Sequence, residues 1–369
     1  MAFDLESLRM IGWALLGTVM IGFVLCEGLN MGVSIILPAL ENDSTQIQGL
    51  MRFIAPTSLG SLAWLIAMLT LVFAGWPIAY AISLASFYPL LLLILVLLML
   101  RPLLMYFSQD FYNSPWQQYI NKLLLAGGLG PAALLGLLAG NMLKGIPFHL
   151  DSDMRILFLG DFAGFFNVFA MLVAATGVAL FAMHAAAFLS LKLDDTLQKP
   201  IEAIAIKAGI AFLVFFIAAG LWVSHLEGYH ITSDILPNQV SNPLTKFVKR
   251  GEGLWLDNYE HLPTLWVVPI CAGLSAIAAM VLIKQRRTYW AMLASSTSMI
   301  MVVLTFGFSL FPFLLPSNIS LNSSLTIWDS SASQLSLQIL LGFVGCALPL
   351  MILYTRWVFS FFNEKTQAR

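Results

Sequence analysis

Glu27 is the residue of this chain with the clearest capacity for chemistry. It stands in Cys26-Glu27-Gly28-Leu29-Asn30-Met31-Gly32, inside an apolar run that reaches from Met10 to Leu40. A charge at the bilayer centre costs roughly 3 kcal/mol on insertion scales, so an acid there needs a partner or a proton. Desolvation favours the protonated carboxyl, which suits a group that takes up and passes on protons. Asn30 follows at i+3, and Gly28 and Gly32 permit close approach of a second helix. Two roles fit these residues: proton handling, or a protonated Glu tying two helices by a hydrogen bond.

His184 is the only histidine deep within an apolar run, with Met183 beside it. Imidazole and thioether both ligate haem iron, so an axial role is conceivable. No second ligand is signalled, and a packed, hydrogen-bonded histidine is the favoured reading. Trp64 lies mid-helix, where its indole N–H needs a partner; packing or lining a cavity would account for it. Trp76, Trp222, Trp255, Trp266, Trp290, Trp328 and Trp357 fall near helix ends, as an interfacial belt requires. Asp329 heads the last helix, close to Gln334, and reads as an N-terminal cap. Cys26, Cys271 and Cys346 are far apart in apolar runs, which makes a disulfide, zinc or iron–sulfur site improbable and small buried hydrophobes the better assignment. There is no Walker loop, no G-x-G-x-x-G, no H-E-x-x-H and no nucleophilic triad.

These residues have to be held by membrane helices. Hydrophobic residues make up 59% of the 369, mean hydropathy is +0.87 and charged residues are only 10%. A soluble domain averages about 25% charged residues, so this composition cannot clothe a water-exposed surface. A net charge of −1 argues against nucleic acid as a partner. The N-terminus is acidic where a secretory signal is basic, so the first run is expected to stay as a helix.

A span needs about 20 apolar residues. The charge-free runs give nine, at approximately 8–38, 53–75, 79–101, 121–143, 163–191, 203–225, 262–284, 289–312 and 332–360, in one polytopic membrane domain. They lack the alternation of a membrane barrel, which makes the protein all-α. Of the 18 basic residues, twelve fall on the C-terminal side of these spans and six on the other. The excess places the C-terminus in the cytoplasm and the N-terminus outside. Three long connections, 143–161, 226–262 and 316–333, then all lie outside. Glu27 is the one clear exception to a pattern in which charges sit at helix ends or in loops. A transporter, a subunit of a proton-coupled redox complex and an assembly factor all suit these features.

Six motifs in order then match one family. They are Met1-Ala2-Phe3-Asp4-Leu5-Glu6 with Glu27-Gly28-Leu29-Asn30-Met31-Gly32, then Gly140-Asn141-Met142-Leu143-Lys144-Gly145-Ile146-Pro147-Phe148, Ser241-Asn242-Pro243-Leu244 and Trp266-x-x-Pro269. Phe311-Pro312-Phe313 follows, leading through Pro316-Ser317 to Ser324-Leu325-Thr326-Ile327-Trp328-Asp329-Ser330, and finally Leu353-Tyr354-Thr355-x-Trp357. With them the chain resembles, over practically its whole length, subunit II of the cytochrome bd family of quinol oxidases. The resemblance implies nine spans as two four-helix bundles plus one peripheral helix, in the bacterial cytoplasmic membrane. It implies a heterodimer with a larger subunit I, which carries haem b and haem d and binds quinol, and it leaves open a small single-helix third subunit. The complex oxidises quinol and reduces oxygen to water. Subunit II supplies no haem ligand in that family; it supports subunit I, offers oxygen and proton access, and sometimes holds a structural quinone.

By position, Glu27 matches an acid associated with the family's proton path, and Trp64 a tryptophan associated with its oxygen route. Asn30 replaces a second acid. In Ile54-Ala55-Pro56-Thr57-Ser58-Leu59-Gly60-Ser61 the family reads I-A-P-x-W-D-G-N, so Leu59 stands where a proton-carrying acid is usual. Two routes fit this departure: a modified path with Glu27 as its first acid and water held by Ser58 and Ser61 in place of the missing carboxyl, or a route wholly through subunit I. The competing class is a transporter-like or assembly protein that kept the fold and lost the oxidase role.

Overall fold

The computed structural model describes residues 3–40, 44–107, 115–193 and 195–360, with the side chains at 44–53, 55, 56, 59, 195, 196, 359 and 360 outside the description. Ten α-helices follow one another along the chain: α1 Leu5–Ile36, α2 Ser44–Gly75, α3 Pro77–Phe107, α4 Gln117–Lys144, α5 Val168–Lys192, α6 Asp195–Val223, the short α7 Asp257–His261, α8 Val267–Lys284, α9 Thr288–Leu310 and α10 Gln334–Ser360. Eight of them are long and apolar enough to cross a membrane among the described residues, and α2 contributes a shorter apolar stretch, Gly60–Gly75.

The helices pack by chain order. α1 lies against α2 and α4, α2 against α3, and α3 against α4; α5, α6, α8 and α9 form a second group, joined to the first where α5 meets α1 and α4. α10 touches only α2 and α1 closely and leaves Leu335, Ile339, Phe343, Leu350 and Leu353 exposed. Such outward apolar side chains suit hydrocarbon rather than water. Helices cross closely where side chains vanish: a Cβ at Gly32 would fall on the Phe181 carbonyl oxygen, which lets α1 and α5 touch.

The long connections are not featureless. Each carries a two-stranded antiparallel ribbon: β1 Phe148–Leu150 with β2 Ile156–Phe158, β3 Glu227–Ile231 with β4 Val248–Glu252, and β5 Phe313–Leu315 with β6 Leu325–Thr326. All-α therefore describes the membrane part alone. Outside the helices the backbone must find other partners, and short ribbons supply them. Helix ends also move: the third helix runs six residues past Arg101, and α5 starts at Val168 because 148–158 is ribbon.

Trp255 and Trp76 are fully buried rather than interfacial, with indole N–H groups donating to Leu143 O at 2.8 Å and Ile327 O at 3.3 Å. Asp329 is not the cap of the last helix, since α10 begins five residues later. The Ser333 hydroxyl takes that place and accepts from the Ser336 N–H at 3.3 Å. The cysteines are free, with Cys26 and Cys271 half-buried and Cys346 exposed on α10 instead of buried.

Candidate functional site

Glu27 is fully buried, and its partner is a cation that composition alone hides at a helix end. Arg101 of α3, also fully buried, pairs through Nη2 with Glu27 Oε1. The apolar run continues past Arg101 through Leu103, Leu104 and Met105, so the helix carries the guanidinium inside. Glu27 is thus not the lone intramembrane charge. Arg9, near the start of α1, is likewise fully buried. A buried acid left unpaired would cost several kcal/mol, roughly 3–5 by mutational comparison; the guanidinium offsets most of it. The Cα and side-chain stem of Arg101 rest against Gly127 of α4. Arg101 Nε and Nη1 have no hydrogen-bond partner among the described residues.

The second carboxylate oxygen faces α2. Oε2 is hydrogen-bonded by the Ser61 hydroxyl and lies 3.5 Å from Asn30 Nδ2. Asn30 also donates to Ser61 Oγ at 3.2 Å, while its Oδ1 accepts from the Thr57 hydroxyl at 2.9 Å. Thr57 and Ser61 lie one helical turn apart and present hydroxyls to the same side of α1. Ser58 does not reach Glu27: its hydroxyl bonds Ile54 O at 3.3 Å and its carbonyl accepts from Ser61 at 2.9 Å. Leu59 is helical, with its side chain outside those described. Asn30, Thr57, Ser58 and Ser61 are all buried, which gives one acid, one base and a hydroxyl–amide ring inside apolar helices. Of the expected path residues, Glu27, Asn30 and Ser61 come together. Thr57 and Arg101 complete the group, and the signals for them were the i, i+4 spacing to Ser61 and the apolar run that does not stop at Arg101.

Trp64 is buried one turn beyond Ser61, packed over Gly22 of α1, with its indole N–H donating to Thr355 Oγ1 of α10 at 2.9 Å. The partner that a mid-helix tryptophan needs is therefore on the last helix, α10. His184 is enclosed, 1% exposed, with Nδ1 2.9 Å from Ser295 Oγ of α9. Among the described residues no group of three or more His, Cys, Asp or Glu could hold a metal ion.

A second charged cluster lies in the connections. Lys246 Nζ meets Asp329 Oδ2 at 2.8 Å, and Asp329 also accepts from Thr326 N at 3.0 Å and Thr326 Oγ1 at 2.7 Å. Burial pushes the Asp329 carboxyl above its ordinary range against the pull of Lys246, and burial lowers Lys246. Nearby, Arg9 donates from Nε to Ser331 Oγ at 2.8 Å and from Nη2 to Gln239 O at 3.0 Å and Ser241 Oγ at 2.9 Å.

Fold and site together define a polytopic helical membrane protein with an acid–base pair buried between its first and third helices. The family model for cytochrome bd terminal oxidase subunit II matches residues 8–362. The chain is 32% identical to cytochrome bd-I ubiquinol oxidase subunit 2 of Escherichia coli, over 96% of this chain and 94% of that one. It is 33% identical to a probable cytochrome oxidase subunit 2 of Haemophilus influenzae, over 97% and 94%. Its fold also matches a chain of the bd oxidase structure from Geobacillus thermodenitrificans, with a TM-score of 0.69, 17% identity and 97% and 100% coverage. The chain belongs to the cytochrome bd terminal oxidase subunit II family.

Proposed function

We propose that this chain, as subunit II of a cytochrome bd-type oxidase, supports a haem-bearing subunit I and gives protons and oxygen access to the site where quinol reduces oxygen to water. The observation that carries the proton part is the buried Glu27, held between Arg101 on one oxygen and Ser61 on the other. Paired, Glu27 and Arg101 are neutral as a unit, so the carboxylate is tolerated in the membrane. A proton on Glu27 gives the unit one positive charge, and the Ser61 and Asn30 groups can hydrogen-bond the carboxyl in either state. Glu27 is the first acid of a path that has no carboxyl at Leu59, and Ser61 with Asn30 and Thr57 fills that place. Ser58 contributes its carbonyl. Trp64, fixed by Thr355, lines the oxygen route.

The haems, b and d, and the quinol site belong in this reading to subunit I and supply electron transfer and oxygen reduction. The enclosed His184 supports a subunit II without a haem ligand. A structural quinone in this chain and a small single-helix subunit are further partners within the same reading, and the exposed apolar helix faces are bathed in lipid. The packing of α1–α4, of α5, α6, α8 and α9, and of α10 beside them supports nine spans as two four-helix bundles plus a peripheral helix. Membership of the family supports a bacterial cytoplasmic membrane, and the basic residues favour the N-terminus outside and the C-terminus in the cytoplasm. That orientation sets Glu27 and Arg101 in the cytoplasmic half, where protons are taken up.

The test is Glu27→Gln in the assembled complex, with oxygen consumption and proton uptake measured together. A loss of at least tenfold in both is expected, since general acid–base groups contribute about 10²–10⁴. Unchanged rates would remove Glu27 from the path.

A further inference from the structure

We infer that Ser61 is a two-position hydroxyl, with Asn30 held beside it by Thr57, that lets Glu27 hold or release a proton while every side chain stays in place. This rests on the proton role proposed for Glu27. Ser61 has a single hydroxyl proton and two acceptors within reach, Glu27 Oε2 and the Ser58 carbonyl at 2.9 Å. Its oxygen also accepts from Asn30 Nδ2 at 3.2 Å. Thr57 repeats the arrangement with Asn30 Oδ1 at 2.9 Å and the Ile54 carbonyl at 2.7 Å. A hydroxyl offers one donor and two lone pairs, so each group serves one acceptor at a time and reaches the other by rotation about a single bond.

Both charge states of Glu27 are then satisfied. When the carboxylate is ionised, Ser61 turns its proton to Oε2. When a proton arrives on Oε2, the new carboxylic O–H donates to Ser61 Oγ, and Ser61 turns its own proton to the Ser58 carbonyl. Glu27 gains one proton and loses it again; no other bond forms or breaks. Thr57 fixes which end of Asn30 faces the acid: its proton on Oδ1 holds the Nδ2 group toward Glu27 and Ser61. In neither state is a buried group of this ring left without a partner, as buried polar groups require.

The surroundings leave the task to these two hydroxyls. Thr57 is 4% and Ser61 2% exposed, so bulk water does not replace them. Arg101 from α3 is the charge that faces Glu27, and Cys26 is its titratable neighbour on α1. No titratable side chain of α2, α4, α5 or α9 is hydrogen-bonded or ion-paired to it among the described residues. Thr57 acts through Asn30 and is a positioning residue.

Infrared difference spectra of the assembled complex, recorded between its oxidised and reduced forms at several pH values, read this directly. The carboxyl band that Glu27→Gln abolishes identifies the acid. Ser61→Ala is expected to move that band to the higher frequency of a carboxyl without an acceptor. It should also slow proton uptake roughly tenfold, the loss for one hydrogen bond to a charged group. Thr57→Val is expected to broaden the band and slow uptake less, and Thr57→Ser to restore both. If Glu27→Gln abolishes the band while Ser61→Ala and Thr57→Val leave its frequency and the uptake rate unchanged, the inference falls and the role of Glu27 stands. If Glu27→Gln itself changes nothing, that role falls first. Should Ser61→Ala not assemble, the comparison of Thr57→Val with Thr57→Ser decides in the same way.

Discussion

Removing Arg101 should harm the protein more than removing Arg101 and Glu27 together. Arg101→Leu leaves a buried carboxylate with no cation beside it, at a cost of about 3–5 kcal/mol, whereas Glu27→Leu with Arg101→Leu leaves apolar packing of similar volume. Thermal unfolding of the purified complex in a double-mutant cycle reads the difference, and equal losses for the single and double variants would contradict the pairing. Tyr229 makes an independent prediction outside the membrane. Burial pushes its hydroxyl up to about 12, against the pull of Arg250. Its stabilising contribution is complete below the ordinary tyrosine value of about 10 and is lost as pH rises through about 12. Tyr229→Phe should therefore flatten the alkaline limb of stability against pH, measured by unfolding midpoints at successive pH values.

The contact of α1 with α5 depends on a missing side chain. A Cβ at Gly32 would overlap the Phe181 carbonyl and lie 2.7 Å from Ala185 Cβ, so Gly32→Ala must separate the helices. Overpacking of this kind costs about 1–3 kcal/mol, and the yield of folded chain in detergent should drop while Gly17→Ala, which meets open space, leaves it unchanged. Most of the helical frame was legible from apolar runs, because a backbone in hydrocarbon has few alternatives to the helix. The ends were not. Charge normally marks a helix boundary, which puts Arg101 at the end of its span, and tertiary pairing with Glu27 overrides that rule. Asp329 carried a capping signature but found Thr326 and Lys246 instead. The three ribbons come from sequence that reads as polar connection, with pairing partners too distant for local pattern to reveal. Within the site, Glu27 and Asn30 are visible by residue type and Ser61 through the family resemblance; the spacing of Thr57 and the unbroken apolar run at Arg101 are weak signals, and Thr355 emerges only from the packing of separate helices.

For the whole molecule, the proposed orientation makes a topological prediction. Val240 is 91% exposed in the connection between α6 and α7, and Gln285 is exposed in the turn between α8 and α9. In intact cells a membrane-impermeant thiol reagent should label Val240→Cys, and should label Gln285→Cys only after permeabilisation; the reverse pattern would invert the protein. Arg9 adds a consequence for biogenesis. Its guanidinium sits near the start of α1, yet its partners are the backbone carbonyls of Pro237 and Gln239 and the hydroxyls of Ser241 and Ser331. During synthesis that charge waits more than two hundred residues for Pro237, Gln239 and Ser241, and more than three hundred for Ser331. Final seating of the first helix is therefore a late event, completed when the segment ahead of the last helix brings Ser331, and a nascent chain stopped short of Pro237 exposes a bare arginine to quality control.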